Sequence, residues 1–462
     1  MGAQHRSFRV AILVAATSSI VAASAWRDDA EATEATEVTE TTETSSMAAE
    51  VLDPSTVGDT TLDVWTSEGG NRLELVTQRA EAFHEAYPNV TVNLTVREFA
   101  SYPAQLKLAM DSDDPPDVAI GNIGYSLDGP LVEAGLIREL TPWAEAYGWD
   151  ARYPAEVQRQ LQFSTDGEQF GNGPMYGVPY ASDVIGWFYN KEKLAALGLE
   201  EPQTFAELEA ALGAAHEAGE TPIMFGNLEQ WPGLHVFFTV NSNTASIDEI
   251  SGIVFGDDGA TWESEGMIAA AEKVAEWAEN GYFVDGYNGL APADAGIRFG
   301  EGEGVFAPGG SWGAADIGTA LGDNVGFFVT PPNEAGQPRA ATGSFGYGWH
   351  ISTKSEQPDL AAAFIEWMTN EDTARLFIES GDLGALPVAD AAVPTGVAGE
   401  IQAAFDQLLV DDSLLPYLDF SDPNGGEVMY PTIQEIISGD VAPAEGLARI
   451  EAARQEFLAS RG

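Results

Sequence analysis

Cysteine is absent from the 462 residues of the sequence. Disulfide bonds, thiolate metal sites and cysteine nucleophiles are therefore excluded. A lipid anchor attached through cysteine is excluded as well, so any link to a cell surface must be made in another way.

Positively charged residues are also scarce. The sequence has 20 lysines and arginines against 73 aspartates and glutamates, which gives a net charge of −53 at pH 7. Such a chain repels nucleic acid and anionic lipid, so we expect neither as a partner. The acidity fits a cationic ligand, a metal store, or a hydrated surface suited to high salt, where screening shortens the repulsion to a few Å. We favour the last interpretation.

Long hydrophobic runs are missing too, since no uninterrupted apolar stretch reaches the length of a membrane span. A short apolar run at residues 10–16 follows two arginines and precedes small residues at 23–25. This pattern is typical of a secretory signal peptide, which we place at residues 1–25. The mature chain is therefore expected to be soluble and to lie outside the cytoplasm.

The next segment, residues 26–57, is rich in threonine and glutamate. It contains the run EATEATEVTETTETSS, which has no apolar periodicity. Such a tract cannot bury enough surface to offset the entropy of ordering, so we predict a disordered acidic linker. An interaction tail is the alternative.

The rest of the chain has the composition of a folded protein. Its apolar fraction is 44%, with 11 tryptophans, and its length allows two domains with full cores. Residues 61–65 and 90–96 are patterned as strands on either side of an amphipathic helix, and this β-α-β unit implies a parallel pair. Farther along, Thr204 followed by Glu207 is a capping box that predicts a helix to about residue 218.

Residues 178–198 read VPYASDVIGWFYNKEKLAALG. An extended run stops at the polar pair Ser182 and Asp183 and resumes as a second, aromatic run, which suits a chain crossing between two bodies. The stretch resembles the signature of bacterial extracellular solute-binding proteins of the maltose-binding-like class, the receptors of carbohydrate ABC importers. FGYGWHI at residues 345–351 and GALPV at 384–388 resemble the second and third crossings of that family.

The resemblance implies an α/β, two-lobed periplasmic-binding-protein fold, in which each lobe is a mainly parallel sheet flanked by helices. A ligand cleft lies between the lobes, which three crossings connect. The implied parts are residues 58–181 and 182–344 as the first parts of lobes 1 and 2, 345–388 as a crossing with the rest of lobe 1, and 389–462 as the C-terminal part of lobe 2.

The implied function is that of a receptor and not of an enzyme. A monomer in the periplasm or at the cell surface would bind a sugar or oligosaccharide between its lobes. It would then deliver this ligand to the permease subunits of an ABC transporter.

A sugar offers hydroxyl groups around a ring and an apolar C–H face. A site for it needs flat aromatic side chains together with carboxylates or amides that bond hydroxyls in pairs. In open α/β sheets, such ligands lie beyond the carboxyl ends of the strands. The candidates in this sequence are Ser67, Glu68, Asn122, Asp183, Glu229, Trp231, Trp312, Phe345 and Tyr430.

The resemblance implies roles for several of these residues. Asp183 aligns with the acidic ligand contact at the first crossing, although it could instead cap the hinge by bonding a backbone N–H. Ser67 and Glu68 match positions that bond ligand hydroxyls, with a plain helix entry as the alternative. Asn122 lies either at a ligand contact or in a simple turn. Trp312, in the run GGSW, matches a stacking tryptophan of the family, with a core position as the alternative. The glycine context favours the stacking role, because glycine lets the backbone approach a ligand.

Motifs of cofactor and metal sites fail in detail. GEGEG at residues 300–304 lacks the spacing of a dinucleotide loop, and the sequence has no phosphate-binding loop. DSDDPPD at residues 111–117 has Pro116 where a calcium loop requires glycine. The histidines after the signal peptide are isolated from one another, and none has a metal-motif partner. We expect no cofactor and no metal.

Two other functions stay open. A secreted glycoside hydrolase would also use paired carboxylates beside aromatic side chains, and this chain has many carboxylates. The same receptor fold could instead bind a noncarbohydrate ligand such as a polyamine, which suits an acidic protein. Release of reducing sugar would distinguish the hydrolase from a receptor.

The acidic composition predicts salt-dependent stability. Raising NaCl from low to molar concentration screens the repulsion among like charges, so the thermal midpoint of unfolding should rise. Differential scanning calorimetry of the secreted chain measures this midpoint. A value that stays constant or falls over that range contradicts our interpretation of the charge.

Overall fold

The computed structural model describes residue 49 and residues 51–461, except 154, 346, 393 and 424. The predicted signal peptide and most of the predicted linker lie outside the described residues. The last residues of that linker are folded, which corrects the boundary predicted at residue 57. Pro54 is buried in a short 3-10 turn, Pro54–Thr56. The Asn89 side chain donates hydrogen bonds to the Pro54 and Val57 carbonyls at 2.8 and 3.1 Å, and these bonds hold this segment beside β2.

The strands of the described residues form two main sheets and one small hairpin. In chain order they are β1 (Thr60–Thr66), β2 (Val90–Val96), β3 (Val118–Asn122), β4 (Gln162–Phe163), β5 (Phe170–Met175), β6 (Val178–Pro179), β7 (Asp183–Asn190), β8 (Phe306–Gly310), β9 (Val325–Phe328), β10 (Ala341–Ser344), β11 (Tyr347–Ile351) and β12 (Leu414–Leu415). The first sheet has the order β2-β1-β3-β11-β6. The second has the order β12-β10-β7-β8, and β9 also pairs with β7. We call the bodies built around these sheets the first lobe and the second lobe.

Helices flank both sheets. In chain order they are α1 (Gly70–Ala86), α2 (Tyr102–Asp111), α3 (Asp128–Glu133), α4 (Thr141–Tyr147), α5 (Ala155–Gln160), α6 (Lys191–Ala196), α7 (Phe205–Glu217), α8 (Trp231–Thr244), α9 (Ile247–Phe255), α10 (Glu265–Glu279), α11 (Pro292–Gly300), α12 (Ala314–Leu321), α13 (Pro358–Thr369), α14 (Glu371–Glu379), α15 (Val397–Val410), α16 (Gly425–Ser438) and α17 (Pro443–Ala459). The first sheet packs against α1 and α13, and the second against α8 and α15. Among the described residues, no helix has the length and apolar character needed to cross a membrane.

The two lobes of mixed helix and strand confirm the predicted architecture. β1 is parallel to β2 and β3, as the β-α-β pattern requires, whereas β11 is antiparallel to β3 and β6. In the second sheet, β10 is parallel to β12, and β7 is antiparallel to β8, β9 and β10. Four of the five strands in each sheet therefore run in one direction, as predicted, and β11 and β7 are the reversed strands. The chain reaches β7 and β11 directly from the other sheet. Each of these strands therefore starts at the edge where its neighbours end and runs in the opposite direction.

Local sequence signals are confirmed where the backbone needs a specific partner. β1 extends the predicted strand by one residue at each end. α7 begins at the predicted capping box, in which the Thr204 hydroxyl accepts from the Glu207 N–H at 3.2 Å. In return, the Glu207 carboxylate accepts from the Thr204 N–H at 3.3 Å. The pair satisfies two backbone donors that a helix start leaves free.

The chain passes between the sheets from β6 to β7, from β10 to β11, and again after α14. The first and third passages run side by side as antiparallel backbone. The Ser182 N–H donates to the Leu383 carbonyl at 2.9 Å, and the Ala385 N–H donates to the Tyr180 carbonyl at 3.4 Å. These hydrogen bonds make the two passages one narrow ladder that joins the lobes.

The lobes also contact each other away from this ladder. Phe170 of the first lobe stacks on Phe255 of the second, with 5.1 Å between ring centroids. Arg461, just after α17, lies 4.5 Å from the ring centroid of Tyr125 and pairs with Glu133 at 3.1 Å. Stacking, cation–π and ionic contacts therefore hold the lobes together at a second place.

A histidine and an aspartate lie together inside the first lobe. His350 is fully buried, and its Nδ1 donates to the Tyr176 carbonyl at 2.7 Å. Its Nε2 lies 3.1 Å from Asp128 Oδ1. Burial alone lowers the pKa of His350, but the negative charge of Asp128 and the hydrogen bonds to Asp128 and to the Tyr176 carbonyl together outweigh burial and raise it. Gly121 leaves the space for this pair, since a Cβ there would lie 2.3 Å from both Asp128 Oδ1 and His350 Nε2.

The crowding at Gly121 generates a prediction about stability. Gly121→Ala should lower the free energy of unfolding by about 1–3 kcal/mol, because the methyl group collides with two buried polar groups. Urea unfolding followed by tryptophan fluorescence measures the change. Gly58→Ala is the control, because nothing lies within 4 Å of its Cβ position. Equal urea midpoints for the two variants would contradict the proposed collision.

Candidate functional site

The strands of both sheets end beside the ladder that joins the lobes. Tyr347, the first residue of β11, is paired with Asn122, the last residue of β3. Asp183, the first residue of β7, is paired with Ser344, the last residue of β10. Only two residues separate Ser344 from Tyr347, so the loops of both lobes converge on one region. We call this region the cleft.

A buried arginine, Arg72, ties the first lobe to the passages. It lies in the first turn of α1, and its Nε and Nη2 donate to the two carboxylate oxygens of Asp382 at 2.8 Å each. Nη2 also donates to the Ser182 carbonyl at 2.8 Å and lies 2.7 Å from Asp183 Oδ1. The guanidinium therefore contacts the first and the third passage at once, and its pairing with Asp382 is bidentate.

Asp183, the foremost candidate for a ligand contact, is thus engaged by Arg72. Burial raises the pKa of Asp183, and the charge of Arg72 opposes this effect. Its partner is a guanidinium and not the backbone N–H of the alternative considered above. A direct role of Asp183 in ligand binding stays a prediction, and the geometry gives it a role in positioning the passages.

Glu68 lies beside this arginine cluster in the loop that follows β1. It is partly buried, and its Oε1 accepts a hydrogen bond from the hydroxyl of Tyr180. Burial raises the pKa of Glu68 to about 7, with Arg72 and the Tyr180 hydroxyl opposing the shift and Asp183 adding to it. A carboxyl group that titrates near neutral pH can both accept and donate hydrogen bonds. The neighbouring Ser67 is buried.

Tyr347 connects the polar groups of the two lobes. Burial raises its pKa, and the negative charges of Glu68, Asp183 and Asp419 raise it further. Asp419 lies in the second lobe and accepts a hydrogen bond from the Tyr430 hydroxyl at 2.8 Å. Glu68 of the first lobe and Asp419 of the second lobe therefore both raise the pKa of the same tyrosine.

Trp312 is the exposed aromatic side chain of the second lobe. It sits in a short turn directly after β8, and 38% of its surface is exposed. Its ring lies directly over Gly310, as shown by the distance of only 2.0 Å that would separate a Cβ on Gly310 from the ring. Gly310 therefore makes room for the tryptophan, whereas the sequence suggested that it makes room for a ligand. Gly309 has open space at its Cβ position.

A histidine joins Trp312 to other rings. The centroid of His235 lies 5.6 Å from that of Trp312, 4.9 Å from Trp231 and 6.0 Å from Tyr417. The indole N–H of Trp231 donates to Glu229 Oε2 at 2.9 Å. Trp231 and Glu229 thus belong to one cluster with Trp312, although 80 residues lie between the two tryptophans in the sequence.

Phe345 does not have the exposure of a stacking residue. It is 4% exposed and packs against Phe405 of α15, with 5.9 Å between ring centroids. Tyr430 is different, because it is partly buried and its hydroxyl is held by Asp419. The structure therefore associates Tyr430 with the cleft and Phe345 with the core.

Several residues of the cleft were missed in the sequence. They are Arg72, Tyr180, His235, Tyr347, Tyr417 and Asp419. Tyr180 and Tyr347 lie in the crossing motifs and had a signal there, and His235 lies four residues after Trp231 on the same face of a helix. Arg72 had none, because its partners at 183 and 382 are far away in sequence.

Comparisons with known proteins agree with this architecture. Residues 78–404 match the family model described as bacterial extracellular solute-binding protein. The chain is similar to the maltodextrin-binding protein MdxE of Bacillus subtilis, with 26% identity over 317 residues, which covers 66% of this chain and 68% of the relative. It is also similar to a multiple sugar-binding protein of Streptococcus mutans, with 25% identity over 222 residues, 47% of this chain and 52% of the relative.

Solved structures show the same fold at lower sequence identity. A chitin oligosaccharide binding protein has a TM-score of 0.74 and 22% identity, covering 87% of this chain and 100% of its own. The raffinose complex of RafE has a TM-score of 0.68 and 19% identity, covering 86% and 99%. Nearly the whole of each compared chain is thus matched by the two lobes.

Arg72→Met should strongly destabilise the unliganded protein. It leaves Asp183 and Asp382 buried without their cation, and removing one partner of a buried ion pair typically costs about 3–5 kcal/mol. Urea unfolding measures the loss. Arg298→Met is the control, since Arg298 pairs with Glu303 at the surface. A loss no larger than that of the control would contradict the role assigned to Arg72.

Glu68 should make stability depend on pH. Its pKa in the folded protein is about 7, above the ordinary value of 4.5. The folded state therefore binds its proton more tightly than the unfolded state, and stability falls as pH rises from about 4.5 to 7. Glu68→Gln removes this loss, so the thermal midpoint of the variant minus that of the wild type should increase from pH 5 to pH 8. The difference for Glu98→Gln, at an exposed residue, should stay constant; equal pH trends for the two variants would contradict the assignment.

Proposed function

The chain belongs to the bacterial extracellular solute-binding proteins, and on that premise we propose that it is the sugar-binding receptor of an ABC importer. It binds a sugar or oligosaccharide in the cleft and delivers it to the permease subunits in the membrane. No bond of the ligand is made or broken. The membership also implies a place outside the cytoplasm, in the periplasm or at the cell surface.

The observation that carries this proposal is the pairing of an exposed indole with titratable oxygens across the cleft. Trp312 offers a flat apolar face to the C–H side of a sugar ring. Glu68 and Asn122, from the first lobe, offer a carboxyl and an amide to its hydroxyls. A sugar that contacts both lobes therefore favours the arrangement in which they are close.

The other candidates act around this pair. Ser67 neighbours Glu68, and Tyr430 presents its hydroxyl with Asp419 from the second lobe. Trp231, held by Glu229, extends the aromatic surface beside Trp312. Asp183 contributes through Arg72, which fixes the passages about which the lobes move.

The names of similar proteins support the ligand class. The relatives are described as binding maltodextrin and multiple sugars, and the solved structures as binding chitin oligosaccharide and raffinose. We extend carbohydrate binding from them to this chain. We further propose that this chain acts as a monomer together with a permease. The predicted signal peptide and the predicted adaptation to high salt are consistent with a secreted receptor.

A ligand screen tests the function. Thermal shift assays in molar salt compare mono-, di- and oligosaccharides with polyamines. A ligand that binds only the folded form stabilises it by about 2.7 kcal/mol at a hundredfold excess over Kd. We expect stabilisation by at least one neutral sugar, and isothermal titration calorimetry should show at least tenfold weaker binding by Trp312→Ala.

Ile297→Ala alters another exposed apolar residue of the second lobe and should bind like the wild type. Stabilisation by polyamines alone would replace the sugar as ligand while keeping the receptor. Reducing sugar released from an oligosaccharide would instead make the protein a hydrolase.

A further inference from the structure

His235 occupies the centre of the aromatic cluster in the second lobe. Trp231, Trp312 and Tyr417 surround its ring at centroid distances of 4.9 to 6.0 Å. Phe238, one turn farther along α8, stacks on it at 5.8 Å. The residue as a whole is only partly buried. The imidazole therefore lies among aromatic rings on most sides, and part of the residue remains exposed.

The ring nitrogens of His235 have no protein partner. Nδ1 is buried and forms no hydrogen bond with any described residue, and Nε2 forms none within the same part of the chain. His350 shows the contrast, because its Nδ1 donates to a carbonyl. A buried polar atom without a partner is unfavourable, and folded proteins rarely keep one unless a ligand or a water satisfies it.

The imidazole of His235 is neutral at physiological pH. Burial lowers its pKa to about 3. One nitrogen then carries a hydrogen and the other a lone pair, so the ring both donates and accepts. A sugar hydroxyl does the same. A neutral imidazole is therefore better suited to a hydroxyl than to a carboxylate or a phosphate, which only accept.

The position next to Trp312 decides what this imidazole meets. A sugar ring stacked on that exposed indole brings its edge hydroxyls beside the neighbouring side chains. The indole N–H of Trp231 is already used by Glu229 at 2.9 Å. Nε2 of His235 is not among the buried atoms and is bonded to no described residue, and its ring is the closest to Trp312 among the described aromatic contacts of that residue.

We infer that His235 is a specificity-determining ligand contact, whose imidazole bonds one hydroxyl of the sugar ring that stacks on Trp312. The inference rests on the proposed function and names the side chain that selects among sugars. A sugar without that hydroxyl leaves Nε2 of the imidazole without this hydrogen bond and is therefore discriminated against. If the nitrogens instead hold a permanent water, the sugar makes no use of His235.

Isothermal titration calorimetry with His235→Phe tests the inference. Phenylalanine keeps a ring in the cluster and removes both nitrogens. The probes are maltotriose, raffinose and N,N′-diacetylchitobiose, followed by the monodeoxy analogues of whichever binds best. We expect at least tenfold weaker binding by the variant and loss of its discrimination between that sugar and one deoxy analogue. The thermal midpoint without sugar should be equal or higher, because an unpaired polar group has been removed.

His216→Phe is the matched control, because His216 is exposed on α7 and contacts Tyr282 outside the cleft. It should bind like the wild type. A folded His235→Phe protein that binds the sugar within about twofold of the wild type overturns the inference and leaves the proposed function intact. A wild type that binds neither these three sugars nor any sugar of the thermal shift screen overturns both. If His235→Phe does not fold, equal affinity of the wild type for every monodeoxy analogue overturns the inference.

Discussion

The ion pairs of Arg72 are the interaction on which the rest of the cleft depends. One guanidinium binds two aspartates and a carbonyl that belong to two different passages between the lobes. Burying three charges is unfavourable unless each has its partner at hydrogen-bonding distance. The geometry of the passages is therefore fixed relative to α1. Because Glu68 is only four residues before Arg72, its position is fixed as well.

The two lobes contribute different chemistry to the cleft. The first supplies the carboxyl of Glu68 and the amide of Asn122 at the ends of β1 and β3, and the second supplies the indole and imidazole rings together with the carboxylates of Glu229 and Asp419. This division follows from local sequence. The loop after β1 is short and polar, whereas α8 begins with Trp231 and repeats aromatic side chains along one face. A ligand that satisfies both surfaces must lie between them, so recognition and the relative position of the lobes are coupled.

Much of the fold could be predicted from the sequence because its signals are local. The capping box at Thr204 and the alternation in β2 each concern neighbouring residues, and the order of the crossing motifs gave the two lobes. The reversed directions of β7 and β11 could not be predicted from such signals, since they depend on the edge from which each strand enters its sheet. The cleft was predicted in part. Trp312 and Glu68 lie there, but Phe345 is a core residue and the partner of Asp183 is a residue 111 positions away in the chain.

The contacts of Phe170 with Phe255 and of Arg461 with Tyr125 and Glu133 bear on the energetics of recognition. They join the lobes without involving any candidate ligand residue. Any motion that separates or slides the lobes at that place must change these contacts. They therefore affect the relative populations of the lobe arrangements in the unliganded protein. The apparent affinity for a ligand scales with the fraction of molecules already in the competent arrangement. Substitutions far from the cleft can therefore tune the affinity while the contacts to the ligand stay the same.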